Sequence, residues 1–133
     1  MMPIFNLNKD IKTRDEIIFD EYDPQKYVGG IRHYKELTYE QLEELDDKCF
    51  LDPEECQNYS PSIAEFMDFM KDHREFTAHG YVVSDTRDDY RVSIEGLFKF
   101  GNITYEETIE FVDMFRCADE FTCTKEELYC WYD

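Results

Sequence analysis

The chain is expected to fold as an α+β domain. Its plan is an antiparallel sheet of about four to six strands around a central hairpin (about residues 76–100), with about three helices (about 38–48, 61–73 and 104–117) packed mainly on one face. Two patterns predict this. Between Tyr90 and Phe100, apolar and polar residues alternate with a period of two, and three other segments carry apolar residues at helical spacing behind capping signatures. The 133 residues suit one domain, 1–133, long enough for a core of its own.

Residues 1–37 are the least regular part. Ile4-Phe5-Asn6-Leu7 and Glu16-Ile17-Ile18-Phe19 read as short strands, with Asp23-Pro24 and Gly29-Gly30 as turns. Neither a GxGxxG nor a GxxxxGK pattern surrounds the two glycines, so a phosphate-cradling loop is not expected. From Leu37 the signals sharpen. Thr38 and Gln41 form a capping box and Leu37 with Leu42 a hydrophobic staple, which predicts a helix to about Asp47 with Leu42 and Leu45 inward. Asp52-Pro53-Glu54-Glu55 predicts a single helical turn. Ser60-Pro61 opens a second helix, whose Ile63, Phe66, Met67 and Met70 fit one apolar face.

In the central hairpin, Tyr81-Val82-Val83 supplies one strand and Ser84–Asp89 the connection. Tyr90, Val92, Ile94, Phe98 and Phe100 share the dry face of the second strand, and Arg91, Ser93, Glu95 and Lys99 the wet one. Thr104 and Glu107 cap a third helix that turns Ile109, Val112 and Phe115 to the core, with Phe111 and Met114 widening the stripe. The tail through Tyr129-Cys130-Trp131-Tyr132 reads as a strand or hairpin closing the sheet, with a short helix capped by Thr124 and Glu127 as the alternative.

Composition narrows the function. Aromatic residues make up 17% of the chain, so its negative charge belongs to a folded body and not to a disordered acidic tail. No apolar run reaches the roughly eighteen residues of a membrane span, and the N-terminus lacks the pattern of a secretion signal, so the expected location is cytoplasmic. Five cysteines without a CxxC pair predict reduced, mostly buried thiols. Net charge is −18, and it is uneven: residues 1–37 contribute −1 and residues 38–133 contribute −17. Such a body repels phosphates and anionic membranes, so direct binding to nucleic acid or lipid is not expected and a basic protein surface is the favoured partner.

Catalytic and metal constellations are sparse. His79, beside Gly80 in the central hairpin, is the best single candidate for a general base, set against the commoner reading of a structural or solvated histidine. Cys117, Cys123 and Cys130 fall outside zinc-knuckle spacing. Asp85, Asp88 and Asp89 lack the order of a calcium loop, so they are expected to serve a solvated turn in which Arg87 and Arg91 neutralise them. Neither a metal nor a cofactor is expected.

The remaining constellation is collective. Glu40, Glu43, Glu44 and Asp47, then Glu65, Asp68 and Asp72, then Glu106, Glu107, Glu110 and Asp113 fall at i, i+3 and i+4 spacing on three helices. Closely spaced negative charge is also what a phosphate backbone displays. These residues form the candidate binding surface of a small non-enzymatic protein that inhibits or modulates a basic, nucleic-acid-handling partner. In charge, size and aromatic content the chain resembles the acidic DNA-mimic and anti-defence inhibitors of phages and mobile elements. Two alternatives stand beside this reading. One is a small enzyme using His79 in a concave pocket. The other is a structural or oligomerising module built on Trp131 and neighbouring tyrosines, with no charge-specific role.

Overall fold

The computed structural model describes residues 6–56 and 59–133. Strands β1 (Ile31–Leu37), β2 (Thr77–Val83), β3 (Arg91–Phe100), β4 (Glu120–Cys123) and β5 (Glu127–Trp131) form one antiparallel sheet in the order β1-β2-β3-β5-β4. Helices α1 (Ile11–Phe19), α2 (Tyr39–Asp47), α3 (Ile63–Asp72) and α4 (Tyr105–Phe115) share one core with it. The expected class and central hairpin are present, with β2 and β3 as its arms and β4–β5 as the hairpin that closes the sheet.

The three expected helices are nucleated by capping boxes. Thr38 with Gln41 caps α2, Ser62 with Glu65 caps α3, and Thr104 with Glu107 caps α4, each pairing satisfying amides that the first turn leaves unbonded. The second cap is Ser62, two residues beyond the expected Ser60. In α2 the buried positions are Tyr39, Leu42 and Leu45, spaced three apart along one face. Phe66 and Phe69 of α3 stack on and abut Phe115 of α4, with ring centroids 5.6 and 5.1 Å apart, so aromatic packing joins the two helices above the sheet.

Four local expectations are corrected. Glu16–Phe19 is the last part of helix α1, not a strand. Its Asp10 cap accepts from Thr13, and the buried Arg14 bridges Asp15 (3.0 Å), the Val83 carbonyl (2.9 Å) and Tyr27 (2.9 Å), which ties the helix to β2. Ile4 and Phe5 of the other expected strand lie outside the described residues, and Asn6-Leu7 forms no strand. Residues 52–55 make a turn and no helix. In α4, Ile109 is half exposed and Phe111 occupies the core beside Phe115. The cysteines also differ from expectation: Cys130 is buried, while Cys49, Cys56, Cys117 and Cys123 are exposed.

The largest correction is in β3. Gly80 of β2 pairs with Ile94, but the preceding His79 pairs with Gly96, so Glu95 is an extra residue in the ladder. This β-bulge switches the alternation of the strand. Val92 and Ile94 face the helices before it, and Leu97 and Lys99 do so after it. Phe98 is therefore turned outward, and Phe100 is exposed. Lys99 reaches into the helix side of the sheet, where it meets Glu107 at 2.7 Å and Glu75 at 2.8 Å.

Two glycine positions are dictated by geometry. Gly29 and Gly30 both have positive φ (60° and 81°) in a two-residue turn closed by Val28 and Ile31, a conformation that suits glycine. Gly96 lies under the His79 ring, and a Cβ there would overlap the Cys130 carbonyl across the β3–β5 junction. Gly96→Ala is expected to destabilise the fold by about 2–3 kcal/mol, because the clash is with backbone that cannot yield without breaking strand pairing. Urea unfolding checks this, and an unchanged midpoint would contradict the close approach.

Candidate functional site

The sheet face opposite the helices carries a groove. Its volume is about 470 Å³, and its lining includes His33 and Lys35 of β1, Thr77 and His79 of β2, Glu95 and Phe98 of β3, and Glu127 and Tyr129 of β5. The bulge creates it by turning Gly96 and Phe98 onto this face beside Glu95. His79 extends over Gly96, where the absent side chain leaves room, and bonds the Cys130 carbonyl at 3.0 Å. A carbonyl can only accept, so Nε2 carries the proton and Nδ1 is the acceptor of the neutral ring. The ring stacks on Tyr129 (5.2 Å between centroids, 11° between planes), and Phe98 meets Tyr129 edge-on at 6.4 Å.

Glu95 is one of three carboxylates lining the groove, with Glu36 and Glu127. Its side chain is 13% exposed, with His33 Nδ1 at 3.9 Å from one oxygen and Trp131 Nε1 donating to the other at 3.3 Å. Burial pushes its pKa up, against the lowering effects of the Trp131 bond and of His33. For His79, burial pushes the pKa below its ordinary value, opposed by the bond to Cys130 and reinforced by the Lys35 charge. Beyond the groove, Glu55 of the α2–α3 connection reaches this face. There Glu55 bonds Ser93 Oγ and Arg91, both at 3.0 Å, and Arg91 reaches Tyr81 at 2.6 Å.

The opposite surface is the helix layer. Within α2, α3 and α4 there are twelve carboxylates and one basic side chain, Lys71. Glu40, Glu43, Glu44, Asp47, Glu65, Asp68, Asp72, Glu106, Glu110 and Asp113 are exposed, as the spacing predicts. Glu107 is not free: it is turned onto Lys99 and bonded to the Thr104 amide. Burial raises its pKa, but Lys99 and the cap together bring it below the ordinary carboxylate value. Glu40 pairs with Arg74 at 3.2 Å, Glu44 with Lys48 at 2.9 Å, and Glu110 with His73. Glu43, Asp47, Glu65, Asp68, Asp72, Glu106 and Asp113 have no ion-pair partner among the described residues.

Basic side chains lie at the junctions between the acidic helices. Between α2 and α3, Arg74 lies 4.1 Å over the Tyr39 ring and pairs with Glu40, so a cation sits among the carboxylates there. Asp72, Glu75, Glu106 and Glu107 border one shallow depression between the end of α3 and the start of α4, together with His73 and Arg74. At the β2–β3 connection Arg87 and Arg91 both pair with Asp89, at 2.7 and 3.0 Å, and neither pairs with Asp85 or Asp88 among the described residues.

Sequence reasoning selects His79 but not Glu95, Tyr129, Phe98 and Trp131 beside it. Glu95 and Gly96 in succession on a strand are the one local signal, since glycine inside a strand often marks a bulge. Comparisons with protein-family models, curated protein sequences and solved structures gave no match. Among the described residues no group of three or more His, Cys, Asp or Glu is disposed to hold a metal, and no helix is long and apolar enough to cross a membrane.

Because burial holds His79 neutral below its ordinary 6.5, the unfolded chain takes up that proton first. Stability from this residue is thus complete above that value and falls as the pH drops below it. An NMR titration of the His79 ring is expected to give a midpoint below 6.5. His79→Gln, which keeps a donor near Cys130, is expected to flatten the acid-side loss of stability. A midpoint at or above the ordinary value contradicts the buried, carbonyl-bonded ring.

Proposed function

We propose that the protein is a small acidic binding protein whose helix layer docks on a basic protein surface, with a nucleic-acid-handling partner as the fitting target. The observation that carries this reading is the segregation of charge: twelve carboxylates and one lysine lie on α2–α4, whereas α1 holds equal numbers of each sign. Like charges at i, i+4 cost a helix a few tenths of a kcal/mol per pair, so the arrangement works against the helices that carry it. A surface of this kind raises the encounter rate with a cationic partner and repels nucleic acid from the same groove. Inhibition follows by occupancy: a carboxylate ridge seated on lysines and arginines leaves them unavailable to phosphates.

Affinity capture from native lysate at low salt, eluted with rising salt, is expected to recover a basic nucleic-acid-binding protein. The recovered partner is expected to lose its nucleic-acid binding when the acidic protein is added. A triple variant, Glu43→Lys, Asp68→Lys and Asp113→Lys, is expected to weaken that complex at least about tenfold, because three unpaired exposed carboxylates become repulsive. A complex that resists salt and tolerates the three reversals would overturn the reading.

A further inference from the structure

We propose that the groove on the open sheet face is a binding site for the guanidinium of an arginine side chain presented by a polypeptide. This site is separate from the acidic helix layer and does not depend on the reading given to that layer. Three features of the groove select the ligand. The first is charge: Glu36, Glu95 and Glu127 line it against Lys35, and burial of His79 disfavours its charged form, so the cavity favours a cation. The second is unused acceptor capacity. Glu95 is nearly enclosed yet receives one bond, from Trp131 at 3.3 Å, with His33 at 3.9 Å beyond hydrogen-bond distance, and His79 offers Nδ1 as a further acceptor. The third is the aromatic wall of Phe98 and Tyr129, one face of the Tyr129 ring being covered by His79.

A planar group that donates several N–H bonds in its own plane and stacks by its face fits all three. Guanidinium has that form, whereas an ammonium is a compact, strongly hydrated point charge. The carboxylates around the groove also repel a free amino acid's own carboxylate, which favours an arginine embedded in a chain. A cavity of about 470 Å³ leaves space for flanking backbone beside the guanidinium.

Trp131 is the single tryptophan of the chain and its indole bonds Glu95, so its fluorescence reports on the groove directly. The probe is N-acetyl-arginine-N-methylamide, titrated at constant ionic strength, with the citrulline derivative as its uncharged isostere. A saturable change with the arginine probe is expected. Binding at least about tenfold weaker is expected for the citrulline probe and for Glu95→Gln, since each removes the charge-assisted pairing. Tyr129→Leu is expected to weaken binding as well, and unfolding curves of both variants establish that they remain folded. The combined Glu43→Gln, Asp68→Asn variant is expected to bind the probe like the natural protein, which separates this site from the helix layer. Equal response to citrulline, full binding by folded Glu95→Gln, or no saturable response overturns the proposal. Tighter binding of free arginine than of the blocked probe overturns the polypeptide source.

Discussion

One inserted residue, Glu95, sets the two faces of the sheet. Without it, β3 would keep a single alternation from Tyr90 to Phe100, and Phe98 and Phe100 would compete for the helix-facing side. With it, Leu97 fills the core and Lys99 projects to α4, where Glu75 and Glu107 neutralise it. On the other face the bulge sets the bare Gly96 backbone beside Glu95, so that His79 can cross β3 to the Cys130 carbonyl. A single ladder irregularity therefore positions a core leucine, the cation that holds a helix, and a groove.

The Lys99 cluster also separates structural from available charge. Glu107 belongs to the run of acidic residues on α4, yet it has two structural tasks: it caps the helix through Thr104 and balances a nearly buried ammonium. Its loss would leave the buried Lys99 with Glu75 as its remaining carboxylate partner. The neighbouring Glu106 and Asp113 have no such task among the described residues and remain at the surface. The acidic layer is thus a mixture, with some carboxylates committed to the scaffold and others left facing outward.

Much of the architecture was legible because local chemistry agreed with tertiary packing. The Thr38–Gln41 and Thr104–Glu107 boxes start helices where the apolar stripes also start, and the pattern around Tyr81-Val82-Val83 has strand character in any context. Three features were harder. The helix Ile11–Phe19 carries both charged Arg14 and Asp15 on its buried side, which hides its helical stripe from a hydrophobicity pattern. The inversion after Glu95 cannot be read from residue types, since Leu97 and Phe98 are both apolar and either could face inward. The groove draws on four strands, and residues such as Glu95 and Trp131 meet only through sheet pairing that depends on this bulge. Exposure of carboxylates, by contrast, follows from helical spacing alone, and ten of the eleven selected residues lie at the surface.

The most direct test of this arrangement compares Leu97→Asp with Phe98→Asp by urea unfolding. The bulged register predicts that Leu97→Asp loses about 3 kcal/mol or more, because an unpaired carboxylate is forced into the core, while Phe98→Asp loses far less on the open face. The reverse order, with Phe98→Asp the more damaging, would show an uninterrupted alternation in β3 and contradict the account.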